Sequence, residues 1–75
     1  NDEKEIITYV SSGEIGEILE HTVTLTVSQG EHAGETITVD TSEITVSQDL
    51  AAGSSATVTY YAKEGIFYAM SVIGQ

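Results

Sequence analysis

The stretch Thr22-Val23-Thr24-Leu25-Thr26-Val27-Ser28 alternates apolar and hydroxyl side chains without a break. Successive side chains of a β-strand point to opposite faces. Val23, Leu25 and Val27 therefore share one face, and the threonines and Ser28 share the other. The same period of two runs through Thr36–Val39, with Ile37 and Val39 on the inner side, and more briefly through Glu43–Ser47. Ala56–Ala62 follows, with Val58 and Tyr60 on one face. Ile66–Ile73, opened by Gly65, is apolar on both faces, and Ile6–Val10 reads as a strand at the start. The β-branched and aromatic content of these runs fits pleated surfaces rather than helices.

Turn signals separate the runs. Ser11-Ser12-Gly13 is expected to close the first. Gly30–Gly34 closes the second, and Asp40-Thr41-Ser42 the third. Lys63-Glu64-Gly65 reads as a hairpin turn with the glycine in the left-handed region. Glu14–Glu20 either extends the first strand through a glycine bulge or forms one helical turn. Gln48–Gly53 is expected to be a helical turn that begins near Asp49 and ends at Gly53. The tetrad TVSQ occurs twice, at 26–29 and 45–48. Its flanks do not match, so it reads as coincidence rather than as a repeat.

With 75 residues there is room for one domain and one small core. There are no cysteines and no prolines, so no disulfide or zinc–thiolate site holds the chain together and its turns rely on glycine, serine and aspartate. Five or six short strands with tight turns point to an all-β barrel or sandwich. A closed barrel also hides strand edges, which matters in a chain this rich in threonine and valine. Residues 1–5 read as an acidic linker or tail, and 6–75 as the single barrel domain. The chain opens at Asn1 and its one methionine is Met70, so its natural start is expected to lie upstream.

Leu50-x-x-Gly53 leading into Val58-x-Tyr60 resembles the approach to the fourth strand of small bacterial OB-like barrels. That resemblance implies a five- to six-stranded antiparallel Greek-key barrel, with the leucine anchoring its open end and the glycine turning the chain. The stretch GEHAGETITVD, with the same Leu50, Gly53, Val58 and Tyr60, is also similar to the extracytoplasmic part of YibE/F-like membrane proteins, over residues 23–70. This second resemblance implies an exported accessory domain and carries over no functional residue.

Charge excludes several partners. Twelve acidic residues stand against two lysines, for a net charge of −10. Nucleic-acid binding needs basic residues to replace counterions at phosphates, and anionic lipid needs the same. No apolar run approaches the roughly 20 residues of a membrane-spanning helix. Catalytic signatures are missing as well: no serine sits in G-x-S-x-G, and no glycine loop ends in GKS or GKT. The expectation is a non-enzyme without a cofactor.

Two surfaces remain. Tyr60-Tyr61 and Phe67-Tyr68 place one ring on each face of a strand, so one of each pair must be exposed or cover a barrel end. Tyr61, Phe67 and Tyr68 are therefore the candidate contact surface, for a protein partner or neighbouring domain. The alternative is a small-ligand or metal site at Glu31, His32 and Glu35, on a loop bounded by Gly30 and Gly34. His32 itself reads first as an exposed loop-tip residue. His21 reads as a rim residue, separated from His32 by a whole strand. Glu14, Glu17 and Glu20 read as a solvated charge run, without the ligand spacing of a calcium loop. The expected whole is a monomeric, extracytoplasmic, bacterial module that acts by protein contact.

Overall fold

The computed structural model describes residues 7–46 and 50–74. The expected linker 1–5 and the expected helix start at Asp49 lie outside them. Five strands follow in order: β1 (Thr8–Ile18), β2 (Thr22–Gly30), β3 (Thr36–Asp40), β4 (Ser55–Lys63) and β5 (Ile66–Gly74). They close into a barrel in the spatial order β1-β2-β3-β5-β4. The all-β, OB-like architecture is as expected, with one difference. β3 and β5 run parallel, joined through Val39–Phe67 and Asp40–Tyr68, while every other neighbouring pair is antiparallel.

The inner face is the alternating set. Ile15, Val23, Leu25, Val27, Ile37, Val39, Ala56, Val58, Tyr60 and Ala69 form the buried core. Tyr9, Ile44, Leu50, Phe67 and Val72 pack against it from its margins. Leu50 packs against the core from its margin, and Gly53 turns the chain with φ +91°. The segment from Leu50 to Gly53 is a tight turn rather than a helical one. It is tied to β1 by bonds from Gly53 N–H to the Ile15 carbonyl (2.6 Å) and from Ile15 N–H to the Ser54 carbonyl (2.8 Å).

Two further expectations are corrected. Ser11-Ser12-Gly13 is no turn but the middle of β1, paired on both sides with β2 and β4. Glycine is required there by proximity. A Cβ on Gly13 would lie 2.0 Å from the Thr26 carbonyl oxygen and 2.9 Å from the Val27 Cα. β1 and β2 approach too closely at this point for any side chain. Glu43–Val46 forms no strand. Asp40 instead accepts a hydrogen bond from Ser42 N–H at 2.8 Å, which turns the chain just after β3.

Bulges shape β1 and β5. Ile15 pairs with Leu25 and Glu17 with Thr24, so Gly16 is the extra residue and β1 continues through it. In β5, Tyr60 pairs with Ala69 and Thr59 with Ser71, which leaves Met70 as the extra residue. The inward set of β5 is therefore Phe67 and Ala69, then Val72. That three-residue step is why the sequence of β5 looks apolar on both faces. The β4–β5 hairpin closes through Glu64 (φ +54°) and Gly65 (φ +83°). Positive φ at both positions is the geometry of a two-residue turn that matches strand twist.

Gly13→Ala is expected to destabilise the fold by about 1–3 kcal/mol, since only backbone could move to admit the methyl group. Gly16→Ala, whose Cβ would meet Thr24 at an ordinary 3.7 Å, should change stability by less than about 0.5 kcal/mol. Urea denaturation of both variants beside the parent checks the contrast.

Candidate functional site

The aromatic residues divide into two groups on opposite sides of the barrel wall. Tyr60 points inward, is fully buried, and is the largest enclosed side chain. Its ring centroid lies 5.1 Å from that of Phe67 and 5.6 Å from that of Tyr9. Tyr61 and Tyr68 pair across β4 and β5 and point outward, stacked at 5.4 Å with planes 27° apart. The three expected contact residues are thus split: Tyr61 and Tyr68 share an outer face, and Phe67 belongs to the inner cluster.

His32 joins that inner cluster, contrary to the loop-tip expectation. Its side chain is only 28 % exposed. The ring lies 5.2 Å from Phe67, 5.7 Å from Tyr9 and 6.3 Å from Tyr60. The cause lies in the backbone. His32 adopts φ +67°, which folds the β2–β3 loop back over the barrel end. Two anchors hold the loop there: Glu31 N–H donates to the Val10 carbonyl at 3.2 Å, and the Ser11 hydroxyl donates to the Glu31 carbonyl.

Ser11 has a second role that the sequence reading missed. It is fully buried, and its Oγ lies 2.8 Å from the Tyr60 hydroxyl. Because Ser11 gives its proton to Glu31, Tyr60 donates to Ser11. The resulting chain, Tyr60 to Ser11 to the Glu31 carbonyl, links the core to the loop. Burial raises the Tyr60 pKa above the ordinary tyrosine value.

Glu31 and Glu35 do not complete a metal site with His32. Glu35 Oε1 stands 3.9 Å from His32 Nδ1, while Glu31 is exposed and takes part through its backbone. Among the described residues, no three His, Asp or Glu side chains gather as metal ligands would. His21 is an exposed rim residue beside Glu20. Glu14, Glu17 and Glu20 are all exposed, on and just beyond β1.

The outer face of β1, β4 and β5 is different in kind from the rest of the surface. From Ser55 to Gly74 the only charged residues are Lys63 and Glu64, both at the hairpin end. Three pairing rows cross this face: Ser12–Thr57–Ile73, Val10–Thr59–Ser71, and Thr8–Tyr61–Tyr68. Val10 (53 % exposed), Met70 (48 %) and Ile73 (61 %) stand out among its hydroxyls. Single exposed aliphatic residues are ordinary, but a contiguous uncharged strip is less so on a chain of net charge −10. At its edge the Tyr61 hydroxyl donates to Glu43 Oε1 at 2.9 Å, and this bond raises the Tyr61 pKa. Asp40, beside Tyr68, is shifted below the usual carboxylate value by its bonds to Ser42.

On the opposite side, the outer face of β2 and β3 pairs Thr24 with Thr38 and Thr26 with Thr36. It carries no large apolar side chain. A shallow open groove between β1, β2 and the start of β4 is lined by Ser12, Gly13, Glu14, Thr26, Ser28, Gln29 and Ser55. It has no aromatic floor on which a base or sugar ring could stack. Among the described residues no helix is long and apolar enough to cross a membrane. Comparison of the chain with family models, with curated proteins and with solved structures gives no match.

The Tyr60 hydroxyl makes the alkaline limb of stability testable. Its pKa is raised in the fold, so its contribution is complete below the unfolded value of about 10 and is lost as pH rises through the higher folded value. Tyr60→Phe should lose about 1 kcal/mol at neutral pH. It should also flatten part of the decline above pH ~10, leaving the part due to Tyr61. Ser11→Ala should cost about 1–3 kcal/mol, because it strands the buried Tyr60 hydroxyl. Urea midpoints from pH 8 to about 11.5 read both effects.

Proposed function

We propose that this chain is a non-enzymatic β-barrel module of a bacterial exported or membrane-associated protein, and that it acts by contact with another protein through the outer face of β1, β4 and β5. The observation that carries this reading is the uncharged strip of Val10, Tyr61, Tyr68, Met70 and Ile73 on an otherwise acidic molecule. Tyrosine rings and a flexible thioether are favoured at protein contacts because they supply area at low ordering cost and adapt to a partner's shape. The similarity to the extracytoplasmic part of YibE/F-like proteins supports the exported setting.

The short connections support a binding role over a nucleic-acid one. OB barrels that bind oligonucleotides use the β1–β2 and β4–β5 loops together with the face of β2 and β3. Here the β4–β5 connection has two residues, the β1–β2 connection carries Glu20, and the β2–β3 face has threonines in place of basic and aromatic side chains. The metal-site alternative has less support, since the ring of His32 packs among aromatic rings and, among the described residues, no three potential ligands gather there.

Site-specific photo-crosslinking in producing cells tests the contact face. A photoreactive residue at Tyr68, Met70 or Ile73 should give covalent adducts with another protein. The same group at Thr24 or Thr38, on the far face, should give none. Equal adducts on both faces, or none on the first, would contradict the reading.

A further inference from the structure

We infer that the occupant of the β1–β4–β5 outer face is a different protein, one that presents an apolar centre edged by lysine or arginine, and not a second copy of this chain. The inference rests on the contact reading above and extends it to the partner's chemistry. The centre of the face is neutral: Val10, Thr57, Thr59, Met70, Ser71 and Ile73 carry no charge. The edge beyond the stacked tyrosines is acidic. Asp40 sits beside Tyr68 in the parallel register, and Glu43 holds the Tyr61 hydroxyl at 2.9 Å.

Both carboxylates keep lone pairs for an outside donor. Asp40 accepts from Ser42 twice, from its N–H at Oδ1 and from its side chain, and Glu43 Oε1 accepts from Tyr61. A carboxylate can accept several such bonds. The hydrogen bonds also fix the position of the carboxylates, which lowers the ordering cost of a charged contact. Lys63 is the one lysine or arginine among the described residues. A second copy would bring another net charge of −10 and, with two lysines and no arginine in its whole sequence, could offer the acidic edge few cations. Like charges across an interface oppose association, whereas a basic edge is attracted and aligned.

Two β-hairpin peptides serve as probes. Both carry a Val, Tyr and Ile face; one is edged by lysines and its twin by glutamates. Nitrogen–proton correlation spectra of the whole chain are recorded during titration with each. The lysine-edged peptide should shift Val10, Tyr61, Tyr68, Met70 and Ile73, and the glutamate-edged twin should not. Raising ionic strength from about 0.05 M to about 0.5 M should weaken the binding roughly two- to fivefold. Asp40→Asn with Glu43→Gln keeps an acceptor oxygen at each position, and should remove most of the preference for the lysine-edged peptide. Ile73→Glu, a change at an exposed site, should abolish the shifts.

Equal binding of both peptides on this face would overturn the basic-edge inference and leave the contact reading standing. A dimer in sedimentation that Ile73→Glu dissolves would also overturn it, again with the face confirmed as a contact. Shifts confined to Glu14, Glu17 and Glu20, or absent from the face, would overturn both.

Discussion

Interior volume governs this molecule. A five-stranded barrel encloses a space only a few side chains across, and Tyr60 is fully enclosed in it. The neighbouring wall has to give way. On the inner face of β1, Ser11 stands against Tyr60 where a larger residue would otherwise be expected. A buried phenol also needs a partner, because an unsatisfied hydroxyl costs about 1–3 kcal/mol. Ser11 supplies it and passes its own proton to the Glu31 carbonyl. That bond holds the β2–β3 loop against β1, and the loop in turn seats His32 on Tyr9 and Phe67. Packing, hydrogen bonding and loop conformation thus follow from one ring in a narrow barrel.

The parts of the fold that were legible in the sequence are those where a strand shows its inner face in unbroken period two. Val23, Leu25 and Val27, then Ile37 and Val39, then Val58 and Tyr60, all lie in the core as their spacing demands. The misread parts share a cause: tertiary packing overrode a local signal. Ser11-Ser12-Gly13 has turn composition, yet its small side chains are there because β2 and Tyr60 press against them. Thr45-Val46 repeats residues that lie in a strand at Thr26-Val27, but it forms no strand. At Thr26-Val27 the neighbours β1 and β3 supply ladder partners, and Thr45-Val46 is in no ladder.

The candidate site was half legible for similar reasons. Adjacent aromatics announce that a strand has rings on both faces, which correctly put Tyr61 outside and Tyr60 inside. They do not say which of Phe67 and Tyr68 is which. Register decides that, through the pairing of Tyr61 with Tyr68. Ile73 was missed because the bulge at Met70 shifts the parity of β5 beyond it. The inward position of His32 depends on a positive φ at a non-glycine residue, and that has no sequence signature beyond the glycines on either side.

Charge and the neutral face are better understood together than apart. An exposed apolar strip on a sheet is ordinarily an aggregation hazard, and many proteins guard against it with lysines on exposed edges. Barrel closure already removes most edges here, so the strip itself is the remaining hazard. Spreading acidic residues over the loops and the β1–β2 hairpin makes copies repel one another at long range while leaving the strip unmodified. Acidic residues placed within the strip would have kept copies apart equally well, but they would also have spoiled it for any partner. Their confinement to its edges, at Asp40, Glu43 and Glu14, separates the two demands: in the contact proposed above, the centre would supply short-range adhesion and the sign of the perimeter would select the surfaces that approach.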